Sequence, residues 1–199
     1  AAAPDWKASV AFRWRKKNGR GHIEPVRHVH RIALRDLQGI DAQKELVPAA
    51  IRGDTVWCIG MSEPSAGSDL AGLQTRAVLD GDRFVVNGQK VWTSYAMVAQ
   101  KCFVYVRTDP DAPKHRGITY LLMDMKSPGI TVRPLINLAG GHGFNEVFFE
   151  DVRVPVNNAV GEINRGWYVG TTTLDFERSS IGNSVGQRQA VERNVNWFR

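Results

Sequence analysis

The feature that most constrains the fold is a series of short apolar runs between residues 55 and 160, separated by turns that contain glycine or proline. Runs such as VWCI, KCFVYVRT and ITYLLMDM have the length and the β-branched or aromatic content of strands. Many short strands with regular turns are typical of antiparallel barrels and sandwiches. We therefore expect a mainly β central domain, an antiparallel barrel or orthogonal sheets, flanked by helices in an α+β chain.

Two turn signals lie close together in the segment LDGDRFVVNGQKVWTS. The first is Asp80-Gly81-Asp82, and the second is Asn87-Gly88, between the apolar runs FVV and VW. An Asn-Gly pair favours a type I′ turn, because both central residues of that turn need a positive φ. We therefore predict a hairpin at Asn87-Gly88. On the strand that would follow, alternation places Trp92 and Ser94 on the same face.

The segment MSEPSAGSD, from Met61 to Asp69, is rich in hydroxyls and in residues that favour turns. It predicts a loop between a strand that includes Trp57 and a second strand from Leu73 to Leu79. We expect Glu63 and Asp69 to brace this loop by accepting hydrogen bonds from backbone N–H groups.

Helical patterns lie outside the β region. The segment from Asp41 to Asp54 predicts one short helix that Asp41 can cap and Pro48 limits. After residue 161 the apolar residues with helical spacing are Leu174, Ile181, Val185, Val195 and Phe198. A lone amphipathic helix cannot bury its apolar face, so we expect the chain to be a fragment whose partner helices are absent.

Charge is distributed unevenly along the 199 residues. Residues 1–38 carry nine Lys or Arg and three Asp or Glu, an excess equal to the whole net charge of +6. A basic arm for nucleic acid or another anionic partner is one interpretation. The other is a solvated tail, or sequence foreign to the domain that follows. We favour the second interpretation and expect no nucleic-acid partner.

Composition narrows the class of protein further. Hydrophobic residues make up 43% of the chain, as in ordinary globular proteins, and no apolar run is long enough to span a bilayer. Cys58 and Cys102 form no CxxC motif, and we predict buried free thiols in a reducing compartment such as the cytoplasm. The single histidines His115 and His142 lack partner ligands, so we expect no metal site.

Five collinear motifs resemble the acyl-CoA dehydrogenase family, and the resemblance extends from Asp41 to about Arg178, roughly 70% of the chain. They are GMSEPSAGSDLAG, VNGQKVWTS, APKHRGIT, NEVFFEDVRVP and GWYVGTTTLDFER. The resemblance implies four parts: a non-matching segment 1–38, the end of an N-terminal helical domain at 39–54, a middle β-domain at 55–160 and the start of a C-terminal helical domain at 161–199. It also implies flavin-dependent α,β-dehydrogenation of an acyl-CoA thioester.

The resemblance implies that two loops face the isoalloxazine ring of FAD. The residues it assigns to the cofactor are Ile59, Met61, Ser62, Ser68, Trp92, Thr93 and Ser94. Ser68 also corresponds to a position that contacts the CoA part of the substrate. Two alternatives stay open: the first loop consists merely of turn residues, and Trp92 is a core aromatic.

A carboxylate base and a CoA contact are implied on the helix after residue 161. Glu177 matches the base position of isovaleryl- and long-chain-type enzymes, in which it removes the α-proton while hydride leaves the β-carbon for FAD. The alternative is a surface glutamate beside Arg178. Asp175 and Arg178 match positions that touch CoA, or they form an exposed pair three residues apart.

The implied partners are an acyl-CoA substrate, an electron-transfer flavoprotein as electron acceptor, and further subunits in a homo- or hetero-oligomer. A different class of function also remains: a non-catalytic β-domain that acts as a scaffold subunit, with the basic segment as an arm for an anionic partner. The flavin absorption band of the purified full-length protein distinguishes the two.

Overall fold

The structure is a computed structural model, and it describes residues 16–17, 20–21, 41–52, 54–141, 143–178 and 181–197. Two two-residue strands, β1 (Lys16–Lys17) and β2 (Arg20–Gly21), pair only with each other among these residues. The rest of segment 1–38 lies outside the described residues. No helix in the described part of the chain is long and apolar enough to cross a bilayer.

A seven-stranded sheet forms the middle of the chain. Its strands are β3 (Trp57–Gly60), β4 (Arg76–Asp80), β5 (Arg83–Lys90), β6 (Lys101–Arg107), β7 (Ile118–Asp124), β8 (Ile130–Leu135) and β9 (Phe144–Pro155). One edge of β6 pairs with β7, and the other pairs with β3 and then, through Arg107, with β4. β5, β9 and β8 follow in that order. The mainly β fold is confirmed, and the pairings of β6 with β3 and β4 are parallel.

The side chains on the two faces of β6 pack in two different core clusters. Phe103 and Tyr105 pack with Tyr120 in one buried cluster, and Cys102 and Val104 lie in the other. β7 is buried along nearly its whole length because both faces are covered. Cys58 and Cys102 are buried free thiols, as predicted. The aromatic residues Trp57, Phe84, Phe103 and Phe149 are also buried, whereas Phe148 is half-buried.

The predicted hairpin at Asn87-Gly88 is wrong. The chain turns earlier, at Gly81-Asp82, where Asp80 pairs with Arg83, and β5 then continues through Asn87 and Gly88. The ladder between β5 and β9 shifts register at Gly88, whose φ is 148°. A Cβ on Gly88 would lie 2.7 Å from the backbone Cα of Thr75. Glycine is therefore required there by a bulge and a close approach rather than by a turn.

The boundaries of other elements also differ from the sequence expectations. NEVFFEDV and RVP form the single strand β9, which bends at Asp151, a non-glycine residue with a φ of 51°. The amide of Asn87 donates to the Asp151 carboxylate at 2.9 Å, and this contact fills the bulge. The strand predicted to begin at Leu73 begins at Arg76, after a 3₁₀ turn at Leu70–Gly72.

Four helical segments flank the sheet in the described residues: α1 (Asp41–Lys44), α2 (Val47–Arg52), α3 (Gly166–Arg178) and α4 (Ile181–Trp197). The helix expected across Asp41 to Asp54 is therefore two short helices, with Pro48 in the first turn of the second. α3 packs against the sheet, where Gly170 leaves no room for a Cβ beside Tyr105. Val195 on α4 is 46% exposed, and the side chains of Ile181, Val185 and Phe198 lie outside the described residues.

Candidate functional site

The first predicted site loop, residues 61–69, folds back on itself directly after β3. Glu63 and Ala66 exchange two backbone hydrogen bonds, of 2.9 and 3.1 Å, around the Pro64-Ser65 corner. Met61 and Ser62 are half-buried, as is Ile59 at the end of β3, whereas Ser68 is exposed. We call residues 61–69 the Ser62 loop.

The second predicted site loop, residues 91–100, follows β5, and we call it the Trp92 loop. β5 ends at Lys90, so the strand alternation expected for Trp92 and Ser94 is wrong. Trp92 adopts a φ of 60° and its side chain is 61% exposed. This exposure excludes the alternative that Trp92 is a core residue. Its indole lies edge-on to Phe144, with 6.2 Å between the ring centroids.

Thr93 joins the Trp92 loop to the start of β9. Its backbone N–H donates to the carbonyl of Asn145 at 2.9 Å, and the side-chain amide of Asn145 donates to the carbonyl of Thr93 at 2.9 Å. The hydroxyl of Thr93 and the side-chain carbonyl of Asn145 are buried and have no hydrogen-bond partner among the described residues. Buried polar atoms are normally paired, so this junction has capacity for a polar ligand or water.

The two loops are tied together side by side. The N–H of Val91 donates to the carbonyl of Ser62 at 2.9 Å. One residue earlier, the ammonium of Lys90 donates to the carbonyl of Met61 at 3.2 Å and to Glu63 Oε1 at 2.8 Å. The structure therefore brings Met61 and Ser62 next to the segment that carries Trp92, Thr93 and Ser94.

The carboxylate of Glu63 braces the Ser62 loop, as the sequence predicted. Its Oε2 accepts the N–H of Gln74 at 2.6 Å, and its Oε1 accepts the N–H of Thr75 at 2.9 Å. Burial by itself would raise the pKa of Glu63, but the charge and hydrogen bond of Lys90 and the bonds from Gln74 and Thr75 together lower it. Glu63 is thus held as a carboxylate inside the fold.

Asp69 does not play the bracing role expected for it. It makes no side-chain hydrogen bond to the turn that it precedes, and its Oδ2 instead accepts from Lys114 Nζ at 2.6 Å. Both side chains are exposed, and the pair links the end of the Ser62 loop to the Lys114–Arg116 turn. His115 lies on that turn and is exposed, as expected of a surface loop residue.

The predicted base and two of the predicted CoA contacts lie on α3. Asp175, Glu177 and Arg178 occupy its C-terminal part, and their side chains lie outside the described residues. Their assignments therefore stay predictions. In the described part of the chain no three metal-binding side chains cluster.

Sequence reasoning missed two residues that the structure places at the site. Lys90 lies in the VNGQKVWTS motif, and a lysine that is 0% exposed directly before the Trp92 loop requires a buried acceptor. Asn145 opens the apolar part of β9 as a buried amide. Lys90 follows the polar Gln89, and Asn145 precedes the charged Glu146, so the local sequence marks neither residue as buried.

The described residues form a mixed sheet with two cross-tied loops that carry an exposed indole and several hydroxyls. Residues 58–152 match the family model for the middle domain of acyl-CoA dehydrogenases. Acyl-CoA dehydrogenase IpdE1 of Mycobacterium tuberculosis is 46% identical over 159 residues, which cover 79% of this chain and 41% of the relative. The chain belongs to the acyl-CoA dehydrogenase family and spans about two fifths of the length of this relative.

Two solved structures illustrate the likeness. A steroid ACAD, the G363A variant of Tcur3481-Tcur3483, aligns with a TM-score of 0.78 and 38% identity over 87% of this chain and 46% of the other. A glutaryl-CoA dehydrogenase from Mycobacterium smegmatis in complex with FADH2 aligns with a TM-score of 0.68 and 28% identity, covering 77% and 39%.

Proposed function

We propose that this chain supplies the flavin-facing region of an acyl-CoA dehydrogenase, an enzyme that oxidises an acyl-CoA thioester between its α- and β-carbons. The observation that carries the proposal is the cross-tied pair of loops: Val91, directly before the exposed Trp92, donates its N–H to the carbonyl of the half-buried Ser62. In the proposed division, residues 39–54 end an N-terminal helical domain, 55–160 are the middle β-domain and 161–199 begin a C-terminal helical domain.

The chemistry of these loops fits FAD. An exposed indole offers a flat apolar surface for stacking on an aromatic ring. The backbone of Ile59 and Met61 and the hydroxyls of Ser62 and Ser94 offer hydrogen bonds to its polar edge, and Thr93 carries one of the buried unpaired oxygens. When bound, FAD supplies the acceptor for the hydride that leaves the β-carbon.

The remaining roles follow from charge and position on α3. Glu177, as a carboxylate, removes the α-proton of the thioester, and the proton is then held on its side chain. Asp175 and Arg178 are three residues apart and contact the CoA moiety, for which a guanidinium is suited by its planar set of donors. Ser68, exposed on the Ser62 loop, contacts the same moiety.

The proposed partners follow from the chemistry. A reduced flavin must pass its electrons on, and we propose an electron-transfer flavoprotein as the acceptor. We also propose that the complete protein is a homo- or hetero-oligomer and works in the cytoplasm. Because one relative is named a steroid ACAD, steroid-derived as well as fatty acyl-CoA thioesters belong in the assay.

The absorption spectrum of the purified full-length protein tests the proposal. We expect flavin bands that bleach when an acyl-CoA thioester is added without oxygen. Trp92→Ala should weaken FAD binding by about tenfold, because stacking area is lost. Leu79→Ala, at an exposed apolar residue of the β4–β5 hairpin, is the matched control and should leave binding unchanged. A full-length protein without bound flavin, and unable to take it up, would favour the scaffold subunit instead.

A further inference from the structure

One buried ion pair connects three segments that are distant in sequence. Lys90 is 0% exposed at its side chain and Glu63 is 4% exposed. Lys90, at the end of β5, binds the carbonyl of Met61 and the carboxylate of Glu63, which in turn binds the backbone of Gln74 and Thr75. The pair therefore lies where the Ser62 loop, the Trp92 loop and the approach to β4 meet.

Stability alone is a poor explanation for this pair. Desolvation of two buried charges offsets much of their attraction, and well-packed apolar side chains of similar volume are often as stable. A charge-assisted hydrogen bond instead fixes the distance and direction between its partners within a narrow range. Compared with apolar packing, the ion pair therefore adds a defined position of the Met61 carbonyl relative to the end of β5.

We propose that Lys90 is a positioning residue that sets the geometry of the two loops for flavin binding. The inference rests on the proposed function. Val91, directly after Lys90, donates its N–H to the carbonyl of Ser62, so Lys90 and Val91 hold two successive carbonyls of the Ser62 loop. A displacement of Lys90 would therefore move the hydroxyls of the Ser62 loop relative to Trp92.

The charge of Lys90 depends on the groups around it. Burial lowers the pKa of Lys90 to about 8, against the opposing charge and hydrogen bond of Glu63. The electrostatic interaction with Cys102 on β6 opposes this lowering of the Lys90 pKa, and the interaction with Arg107 on the same strand adds to it. Cys58 on β3 faces Cys102, and the hydrogen bond to Cys102, together with burial, raises the pKa of its thiol. Above about pH 8, Lys90 loses the proton that its ion pair requires.

The pH dependence of flavin affinity distinguishes a positioning role of Lys90 from a role in fold stability. The folded-state pKa of Lys90 lies below its ordinary value of 10.5, so between about pH 8 and 10.5 the unfolded chain binds more protons at this group. Its contribution to the free energy of unfolding therefore rises with pH in that window. A weaker affinity for flavin in the same window would therefore not come from loss of fold stability through Lys90, and it would support altered loop geometry.

Titration of the flavin-free full-length protein with FAD at pH 7 and pH 9, followed by flavin fluorescence, tests the inference. We expect the wild-type affinity to fall between the two pH values. The double variant Lys90→Met/Glu63→Met leaves no unpaired buried charge, and it should bind FAD about tenfold more weakly at pH 7, with the pH dependence lost. Lys101→Met removes from β6 the half-buried partner of the exposed Asp124 and is the matched control, expected to behave as wild type.

The outcomes distinguish the two proposals. Wild-type affinity that is equal at pH 7 and pH 9 would overturn the positioning role, even if every variant failed to fold. So would a folded double variant that binds FAD as tightly as wild type; in both cases the proposed function stands. A wild-type protein that binds no FAD at either pH would instead refute the proposed function, and the positioning role with it. Thermal melting of each variant verifies that its fold is retained.

Discussion

Glu177 lies in the last turn of α3, one residue before the helix ends at Arg178. Its proposed role depends on residue type and on position in the family motif, because a carboxylate accepts an α-proton and an amide does not. By contrast, the roles of Glu63 and Lys90 depend on contacts that the structure describes: the two side chains bind each other and the backbone of the Ser62 loop. The roles of Glu63 and Lys90 therefore rest on observed contacts, whereas the role of Glu177 stays a proposal.

Replacement of Glu177 by glutamine tests the chemistry at this scale. In the full-length protein, we expect Glu177→Gln to keep its flavin and to lose flavin bleaching by acyl-CoA, because shape is retained and only proton acceptance is removed. Stopped-flow absorbance at saturating substrate measures the rate. Glu162→Gln, at an exposed carboxylate before α3, is the control and should bleach as wild type does. If Glu177→Gln retains most of the rate, the base lies elsewhere and Glu177 is a surface residue beside Arg178.

At the scale of elements, the ladder between β5 and β9 contains a bulge opposite the part of β5 that leads into the Trp92 loop. The extra residue lies on β9, where Glu150 and Asp151 lie opposite Asn87. Asn87 and Asp151 bind each other where the register shifts, and Asp151 adopts a positive φ. Bulges bend a strand and increase its local twist. β5 then reaches Lys90 on the buried side of the sheet, with its ammonium directed at the Ser62 loop.

Gly88→Ala tests the requirement for glycine in this bulge. We expect a loss of about 1–3 kcal/mol in the free energy of unfolding, because a Cβ would strain a positive φ and approach the backbone of Thr75. Urea denaturation measures the loss. Gly67→Ala is the control, since a Cβ there meets no atom within 4 Å, and it should change stability by less than about 0.5 kcal/mol. Equal stability of the two variants would show that the bulge tolerates a side chain.

At the scale of the whole molecule, the short helices α1 and α2 are part of the fold although they precede the sheet. The amide of Gln43 donates to the carbonyls of Asn157 and Ala159 at 2.8 and 3.0 Å. Ala50 is buried in the same core cluster as Trp57 and Phe103. The described strands β1 and β2 in segment 1–38, in contrast, pair only with each other.

Deletion of residues 1–38 tests where the fold begins. We expect the melting temperature of the full-length protein to stay nearly unchanged, because the sequence of this segment shows no sustained helical or strand period that would form a packing face. Deletion of residues 1–54 is the matched comparison and should lower the melting temperature by several degrees, since it also removes Gln43 and Ala50. A large decrease with the shorter deletion would show that residues 1–38 are part of the core.

The sequence by itself determined the elements that depend on local pattern. Short apolar runs separated by turn residues predicted the mainly β domain and the turn at Gly81, and the ordered motifs predicted the family. These signals are local because strand alternation and turn conformation are set within a few residues. The prediction that Cys58 and Cys102 are buried thiols is also confirmed.

Only the tertiary structure decided which distant residues Gly88, Trp92 and Lys90 contact. Asn87-Gly88 is locally typical of a turn, yet it continues β5 opposite a bulge in β9, and Gly88 lies close to the backbone of Thr75. Trp92 is exposed because β5 ends before it, and Lys90 is buried because Glu63, 27 residues earlier, lies beside it. Such contacts depend on strand order and register, which are set by long-range packing, and no short stretch of sequence contains both partners.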